Sequence, residues 1–259
     1  MAVEDSRMSF GNHLEELRQM IIRILIAIIV CAIIVFWFKE ETFALLLAPR
    51  NSDFITFKVI ERLASYFGNN LIFEQYDIKL ISTELSAQFM AHLEVACMLG
   101  ALIASPFVIY ELFKFISPAL YENEKRYSVG ICTTSYILFM IGFLMNYFIL
   151  FPIAFRFLGT YQIDNIVQSQ ITITSYISTF ITLSLAMGLI FELPVMSFIL
   201  GKIGLIKSAF MKKYRGQSLI IIMIISAFIT PPDLFTLFLV SIPLYLLYEL
   251  SILIVAKVE

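Results

Sequence analysis

Long apolar runs separated by short polar turns dominate the chain. A helix needs about 20 residues to cross the roughly 30 Å hydrocarbon core of a bilayer. Four runs qualify on length, at residues 20–38, 93–112, 128–151 and 177–200, and two weaker runs follow at residues 219–229 and 234–256. The first weak run ends at the prolines of the TPPD turn, and Pro243 interrupts the second. The pattern predicts an all-α integral membrane protein with six transmembrane helices in a single membrane domain, 1–259. The last two helices are expected to be short, with a re-entrant hairpin as the alternative.

Lysine and arginine in the loops indicate the orientation of these helices, because cytoplasmic loops are enriched in cations. The loop at residues 113–127 carries three such residues and the loop at 201–218 carries five. Residues 152–176 carry only one, and the TPPD turn carries none. The two cation-rich loops are therefore predicted to be cytoplasmic, and six spans place both termini there as well.

The segment at residues 39–83 is then predicted to lie outside and to be too long for a bare connector. Within it, ITFKVIERLASYF places apolar residues at helical spacing, namely Ile55, Val59, Ile60, Leu63 and Phe67. This amphipathic pattern suits a helix that lies either on the membrane or on the protein's own helices. LIFEQYDIKLIS, which follows, is strand-like. We expect an ordered external cap.

The amino-acid composition argues against several classes of function. The chain is 60% hydrophobic and only 15% charged, with a net charge of -2, so the bilayer is its solvent and no nucleic-acid partner is indicated. The two histidines, His13 and His92, are far apart in sequence, which disfavours a zinc site or a Ser-His arrangement. No glycine-rich phosphate loop occurs. We therefore predict no enzyme activity, no cofactor and no metal.

Acidic residues near the predicted cytoplasmic ends are the first candidate site. In GNHLEELRQM, Asn12 with Glu15 has the spacing of a helix-capping box, which does not use Glu16 or Arg18. Those two residues are two positions apart and do not face each other on a helix. Glu124 lies in the loop SPALYENEKR, whose charges are alternatively a solvated interfacial cluster. The hypothesis is that Glu16 and Glu124 form an anionic patch that receives guanidinium groups.

Two further acids lie in or next to the later spans. Glu192, in LIFELPV, is a carboxylate inside an apolar run, and a charge there is a functional hypothesis by default. The alternative is structural: a protonated Glu192 would donate to a carbonyl that Pro194 leaves without its backbone donor. Asp233, in TPPDLF, is predicted to be the N-cap of the last helix.

Several of these motifs, read in order, resemble the TatC family of twin-arginine translocase proteins: HLEELR, LLAPR, SPFVIYELFKFISPALYENEKR, FELPV and ITPPDLF with SIPLYLLYE. The resemblance extends over nearly the whole chain. It implies a cup-like bundle of six helices in the bacterial inner (cytoplasmic) membrane. It also implies a role as the receptor core of Sec-independent export of folded proteins, with no cofactor and with export driven by the proton gradient. The implied partners are twin-arginine signal peptides, single-span Tat subunits (TatA/TatB type), and further copies of this chain in a receptor complex.

The family's motifs map onto individual residues of this sequence. By resemblance, Glu16, Arg18, Phe115 and Glu124 form the surface that receives the paired arginines of the signal peptide. Pro49 matches the proline after the first span, Glu192 the intramembrane glutamate, and Asp233 the acid after TPP. One departure is Leu237, where the family often has Gln near the intramembrane glutamate. At this position the resemblance therefore does not imply a polar contact between the last span and Glu192.

Two rival functions come from other classes. A proton-coupled small-solute transporter would use Glu192 as its carrier, but such folds usually show inverted halves with paired broken helices. No such internal symmetry is visible in the sequence. An intramembrane protease would need a Ser-His pair or two aspartates within spans, and Asp233 is the only aspartate near a span.

Overall fold

Helices make up most of the part of the chain that the structure describes. The structure, a computed structural model, covers residues 10–68, 76, 78–116, 128–161, 164 and 170–259. Contacts divide the chain into two compact units, Met1–Lys39 with Leu93–Tyr136, and Glu40–His92 with Ile137–Glu259. The single membrane domain predicted from the sequence stays a prediction.

The first unit contains α1 (Phe10–Trp37), most of α4 (Ala87–Ile116) and the start of α5 (Ser128–Met145). The helices α1 and α4 approach each other closely at Gly100. A Cβ atom there would lie 2.6 Å from the backbone nitrogen of Ala32, so only glycine permits this contact. The helix α1 already includes Phe10, and Asn12 is therefore inside the helix. The prediction that Asn12 is the N-cap is wrong.

The second unit begins with the external segment that the sequence predicted. It contains α2 (Lys39–Leu47), a 3-10 turn (Ala48–Arg50), α3 (Ile55–Tyr66) and β1 (Leu80–Ile81). The amphipathic helix is confirmed. Strand β1 pairs in parallel with β2 (Ile171–Thr172), Leu80 opposite Ile171. The strand-like prediction holds for these two residues, while residues 71–75 and 77 lie outside the described part.

The remaining elements of the second unit follow in chain order. They are the end of α5, a π-helical segment (Asn146–Leu150), α6 (Phe151–Thr160), α7 (Ile173–Ile190), α8 (Leu193–Lys202), α9 (Ser208–Lys213), α10 (Arg215–Ile229) and α11 (Leu234–Val258). Its core is aromatic: the rings of Tyr176 and Phe180 stand nearly perpendicular to that of Phe151, with centroids 5.0 and 4.9 Å away. Such edge-to-face contacts add to the burial of their apolar area.

Five helical stretches in the described residues are long and apolar enough to cross a membrane. They are His13–Trp37, Ala87–Phe115, Val129–Thr160, Ile173–Lys202 and Leu234–Val258, and Arg215–Ile229 is a shorter apolar helix. At 15 residues the shorter helix is about 22 Å long, less than the hydrocarbon thickness. The prediction that helix 219–229 is short is thus confirmed. The count of six spans and the cytoplasmic termini stay predictions.

Two expectations about the spans are corrected. The last helix, α11, continues through Pro243 for 25 residues and is not short. Pro243 is buried, and α11 packs along α8 and α10, so tertiary contacts hold the helix together across the missing hydrogen bond. The run at 177–200 is not one helix, because it breaks between Ile190 and Leu193.

Candidate functional site

The end of α1 that carries the predicted site residues contacts the end of α4. The imidazole of His13 stacks on the Phe115 ring, with centroids 4.5 Å apart and the planes 22° from parallel. Glu16 lies three residues after His13, hence on the neighbouring helical turn, and its side chain is exposed. The structure therefore places Glu16 on the part of α1 whose His13 contacts Phe115. From the sequence, His13 was weighed only as a zinc ligand or as part of a Ser-His arrangement.

Arg18, the third predicted residue, is exposed and pairs along its own helix. Its Nη1 atom lies 3.4 Å from Glu15 Oε2, and Gln19 Nε2 donates to Glu15 Oε1 at 3.3 Å. Such an exposed pair contributes about 0–1 kcal/mol to stability. Glu15 is thus the acid that balances Arg18, in agreement with the prediction that Glu16 and Arg18 do not face each other. Glu124, the fourth residue, lies in 117–127, outside the described residues.

An ion pair behind this surface joins α1 to α4 and was missed by the sequence reasoning. Arg23 Nε donates to Glu111 Oε2 at 3.0 Å, and Arg23 Nη2 lies 2.8 Å from the same oxygen. The Glu111 side chain is only 5% exposed, whereas that of Arg23 is 45% exposed. Glu111 is one helical turn before Phe115. The available signal was an opposite charge in each of two apolar runs, which are costly there unless they are paired.

Glu192 lies where the fourth apolar run is interrupted. Its backbone N–H donates to the Leu189 carbonyl at 3.1 Å, and its own carbonyl accepts from the Met196 N–H at 2.9 Å. The residue thus lies at the break between α7 and α8, with Pro194 in the first turn of α8. Proline is well tolerated in a first turn because its missing N–H is not needed there.

Asp233 is the N-cap of α11, as predicted. Its Oδ1 accepts a hydrogen bond from the Thr236 N–H at 2.6 Å. The same end of the helix carries Leu237. Leu237 contributes its backbone to the helix, its N–H donating to the Asp233 carbonyl at 3.2 Å. The role of Asp233 is therefore to start the last helix after the TPP turn.

Pro49 lies in the 3-10 turn after α2 and is buried. Proline has no N–H, so the carbonyl four residues earlier, that of Leu45, lacks its usual helical donor. The Tyr147 hydroxyl donates to that carbonyl at 2.8 Å, and the Tyr176 hydroxyl donates to the next one, Leu46, at 2.9 Å. One side chain from the π-helical segment and one from α7 thus supply hydrogen-bond donors to the last carbonyls of α2, next to Pro49.

A second proline, Pro152, also leaves a carbonyl without its helical donor, and here the donor comes from α3. Pro152 is the second residue of α6 and cannot donate to the Phe148 carbonyl, four residues earlier. The Thr56 hydroxyl, from α3, donates to it. The external segment and the π-helical segment therefore each supply a donor for a carbonyl that a proline leaves open in the other. We conclude that Pro49 acts here through structure.

Tyr147→Phe is expected to lower the free energy of unfolding by about 1–3 kcal/mol, because the Leu45 carbonyl loses its donor in a buried site. Thermal melting of the purified protein in detergent measures the effect. Tyr161→Phe is the matched control, since the Tyr161 side chain is exposed. Equal melting temperatures for the two variants would contradict this account of Pro49.

Within residues 10–68, 78–116 and the other described parts, no three His, Cys, Asp or Glu side chains lie close enough together to hold a metal ion. The charged groups instead form pairs between or along helices. A third pair, Arg215 with Glu249, joins α10 to α11 at 2.6 Å, and the Tyr245 hydroxyl donates to the same carboxylate at 3.0 Å.

Comparison with known proteins decides the family. The family described as "Sec-independent protein translocase protein (TatC)" matches residues 12–243. The chain belongs to the TatC family. A relative of that name from Blattabacterium sp. subsp. Periplaneta americana (strain BPLAN) is 34% identical over 256 residues, covering 97% of this chain and 96% of the relative. The TatC protein of Escherichia coli (strain K12) is 31% identical, covering 97% of this chain and 89% of that protein.

A solved structure agrees with the family in fold. "Crystal Structure of Twin Arginine Translocase Receptor- TatC" superposes with a TM-score of 0.75 at 31% identity, covering 95% of this chain and 99% of that chain. TatC membership makes this protein a component of the Sec-independent twin-arginine translocase and a multi-pass protein of the bacterial inner membrane. The Tat system includes signal-peptide cargo and other Tat subunits. The alternative of a small-solute transporter finds no support in these relatives.

Proposed function

We propose that this chain is the receptor core of the twin-arginine export system and binds the paired arginines of a signal peptide at its cytoplasmic face. The observation that carries the proposal is the exposed Glu16 carboxylate next to the contact between His13 and Phe115. A carboxylate binds a guanidinium group through charge-assisted hydrogen bonds, and Glu124 supplies a second one from the adjoining loop. Arg18 belongs to the same surface, where Glu15 balances its charge.

In this proposal the acidic residues bind the signal peptide, and the basic residues set the orientation of the loop. Glu16 and Glu124 attract the signal peptide, while Lys125 and Arg126 keep the loop on the cytoplasmic side by the positive-inside effect. Six spans with both termini cytoplasmic follow from the same rule. The pair Arg23–Glu111 supports the surface by holding α1 against α4.

The later steps of the proposal use the membrane-embedded part of the chain. The apolar part of the signal peptide lies near Glu192, whose position at the break between α7 and α8 makes the carboxyl group a polar contact within the span. Single-span Tat subunits assemble alongside, and several copies of this chain form the receptor complex. The proton gradient drives the export step.

Photocrosslinking tests the receptor surface directly. A photoreactive residue is placed at position 124 or at Gln19, one turn beyond Glu16, and the protein in membranes is exposed to a signal peptide with an Arg-Arg or a Lys-Lys pair. We expect strong crosslinks with Arg-Arg and severalfold weaker ones with Lys-Lys, because lysine cannot form the bidentate pair. Position 212, an exposed lysine in the other predicted cytoplasmic loop, is the control.

The result that would overturn the proposal is equally concrete. If the correctly inserted protein gives no crosslink from positions 19 and 124 with either peptide, the acids belong to the protein surface and the receptor site lies elsewhere. Crosslinks of equal strength from all three positions would also contradict the proposed location.

A further inference from the structure

The helix α3 turns a narrow polar and aromatic side toward the rest of the second unit. Thr56 and Phe57 are buried. The Thr56 hydroxyl donates to the Phe148 carbonyl, and the Phe57 ring lies 5.0 Å from the Arg156 guanidinium, which also lies over Tyr76 at 4.9 Å. Burial raises the pKa of Tyr76 to about 12, although Arg156 opposes the shift, so its ring stays neutral in this stack. These contacts fix which side of α3 faces outward.

The outward side of α3 is an apolar stripe. Ile55, Val59 and Leu63 recur every four residues and therefore share one face, and Phe67 continues it. Leu63 is 56% exposed and Phe67 80% exposed, whereas Phe57 is 2% exposed. The sequence pattern allowed this stripe to lie either on the membrane or on the protein's own helices. Among the described residues this stripe stays exposed and is not covered by the rest of the second unit.

The start of the stripe lies next to a residue near the end of a predicted span. The Phe54 ring, immediately before α3, stacks on the Phe148 ring with centroids 6.0 Å apart. The sequence predicts a span at residues 128–151, and Phe148 lies three residues before its end. Since about 20 helical residues cross a hydrocarbon core of about 30 Å, a span that starts near residue 128 reaches its far boundary close to Phe148. Phe148 and its neighbour Ile149 are both exposed on the surface of this span.

Cations and aromatic rings accompany the stripe in the manner of an interfacial helix. Lys58 and Arg62 are exposed and directly precede Val59 and Leu63. Exposed cations beside an apolar face attract anionic lipid headgroups. The helix ends with two exposed aromatic side chains, Tyr66 and Phe67, of the kind found at membrane interfaces. A water-soluble partner protein would not require the stripe to begin at the boundary of a span.

We propose that α3 is an interfacial helix that lies on the membrane surface at the end of the span distant from Val129. Its side chains Ile55, Val59, Leu63 and Phe67 insert among the lipids, and Lys58 and Arg62 contact the phosphates of anionic lipids. The buried contacts of Thr56 and Phe57 set the rotation of the helix, and the lipids hold its outer face. This surface is independent of signal-peptide binding, so each proposal can fail while the other stands.

The test places one fluorescent label at a time along α3. Cys31, Cys97 and Cys132 are first replaced by serine or alanine, and the full chain is reconstituted in vesicles of phosphatidylcholine and phosphatidylglycerol. An environment-sensitive label is attached to Val59→Cys or Leu63→Cys, and to Lys58→Cys or Arg62→Cys as matched controls on the same turns. Quenching by brominated lipids and by aqueous iodide is measured at each position.

We expect labels at 59 and 63 to emit at shorter wavelength and to be quenched at least twofold more by brominated lipids than those at 58 and 62. Iodide should show the reverse order. Equal access of iodide to 59 and 58 would overturn the proposal. Protection of 59 and 63 from both quenchers would also overturn it, because a protein then covers the stripe. Lipid contact at 59 with water contact at 63 would show that α3 leaves the membrane, a third contradiction.

Discussion

Glu16→Lys is expected to reduce twin-arginine-dependent export to background while the protein still inserts in the membrane. The Glu16 side chain is exposed, so the substitution leaves packing unchanged. A hydrogen bond to a charged group contributes about 1.5–3 kcal/mol, which corresponds to roughly 10- to 100-fold in affinity. A lysine at this position adds repulsion toward the incoming arginines. Export of a twin-arginine reporter, normalised to the amount of membrane-inserted protein, measures the effect.

The neighbouring acid provides the matched control. Glu15→Gln removes the same charge one residue away, where the carboxylate pairs with Arg18. Because an exposed pair of this kind contributes little, this variant should export nearly as well as the original chain, whereas Glu16→Gln should be impaired. Full export by Glu16→Lys, or equal defects in the two Gln variants, would show that the position of the charge is irrelevant.

Arg23→Leu is expected to cause the largest loss of stability, about 3 kcal/mol. The substitution leaves the Glu111 carboxylate buried without its cation, and removing one partner of a buried pair typically costs about 3–5 kcal/mol. We take the low end because Arg23 is half-exposed. The midpoint of thermal aggregation, followed by size-exclusion chromatography in detergent, reports the change.

Two further variants separate charge burial from a general defect. The double variant Arg23→Leu with Glu111→Leu should recover much of the lost stability, because no charge then remains buried. Arg18→Leu, which removes an exposed arginine from the same helix, should shift the midpoint little. If Arg23→Leu and Arg18→Leu have the same midpoint of thermal aggregation, the Arg23–Glu111 pair does not join α1 to α4. The double variant also tests whether restored stability restores crosslinking to the signal peptide.

Local signals in the sequence predicted the elements well where one stretch of chain is sufficient to set the structure. The amphipathic spacing from Ile55 predicted α3, and the TPPD turn predicted both the end of α10 and the cap at Asp233. The same local logic was wrong for α11, where Pro243 suggested an interruption. Packing against α8 and α10 outweighs the cost of one missing hydrogen bond there.

For the candidate site, the sequence predicted which residues belong to it, and the structure showed what they contact. Glu16, Arg18, Phe115 and Glu192 were predicted from motifs, yet the motifs do not say what each residue touches. The stack of His13 on Phe115 joins two helices far apart in sequence, and the Arg23–Glu111 pair spans 88 positions. Periodicity describes one helix at a time and carries no information on which faces of two helices meet.

The amino-acid sequence by itself determined that this is a multi-pass membrane protein and to which family the chain belongs. These properties depend on hydrophobicity and residue order, which are written along the chain. Only the tertiary structure decided that Tyr147 and Thr56 donate to the carbonyls left open by Pro49 and Pro152, and that the apolar side of α3 faces outward. Those outcomes depend on distances between segments about 90 to 100 residues apart, because a buried polar group takes whichever partner the fold brings within reach.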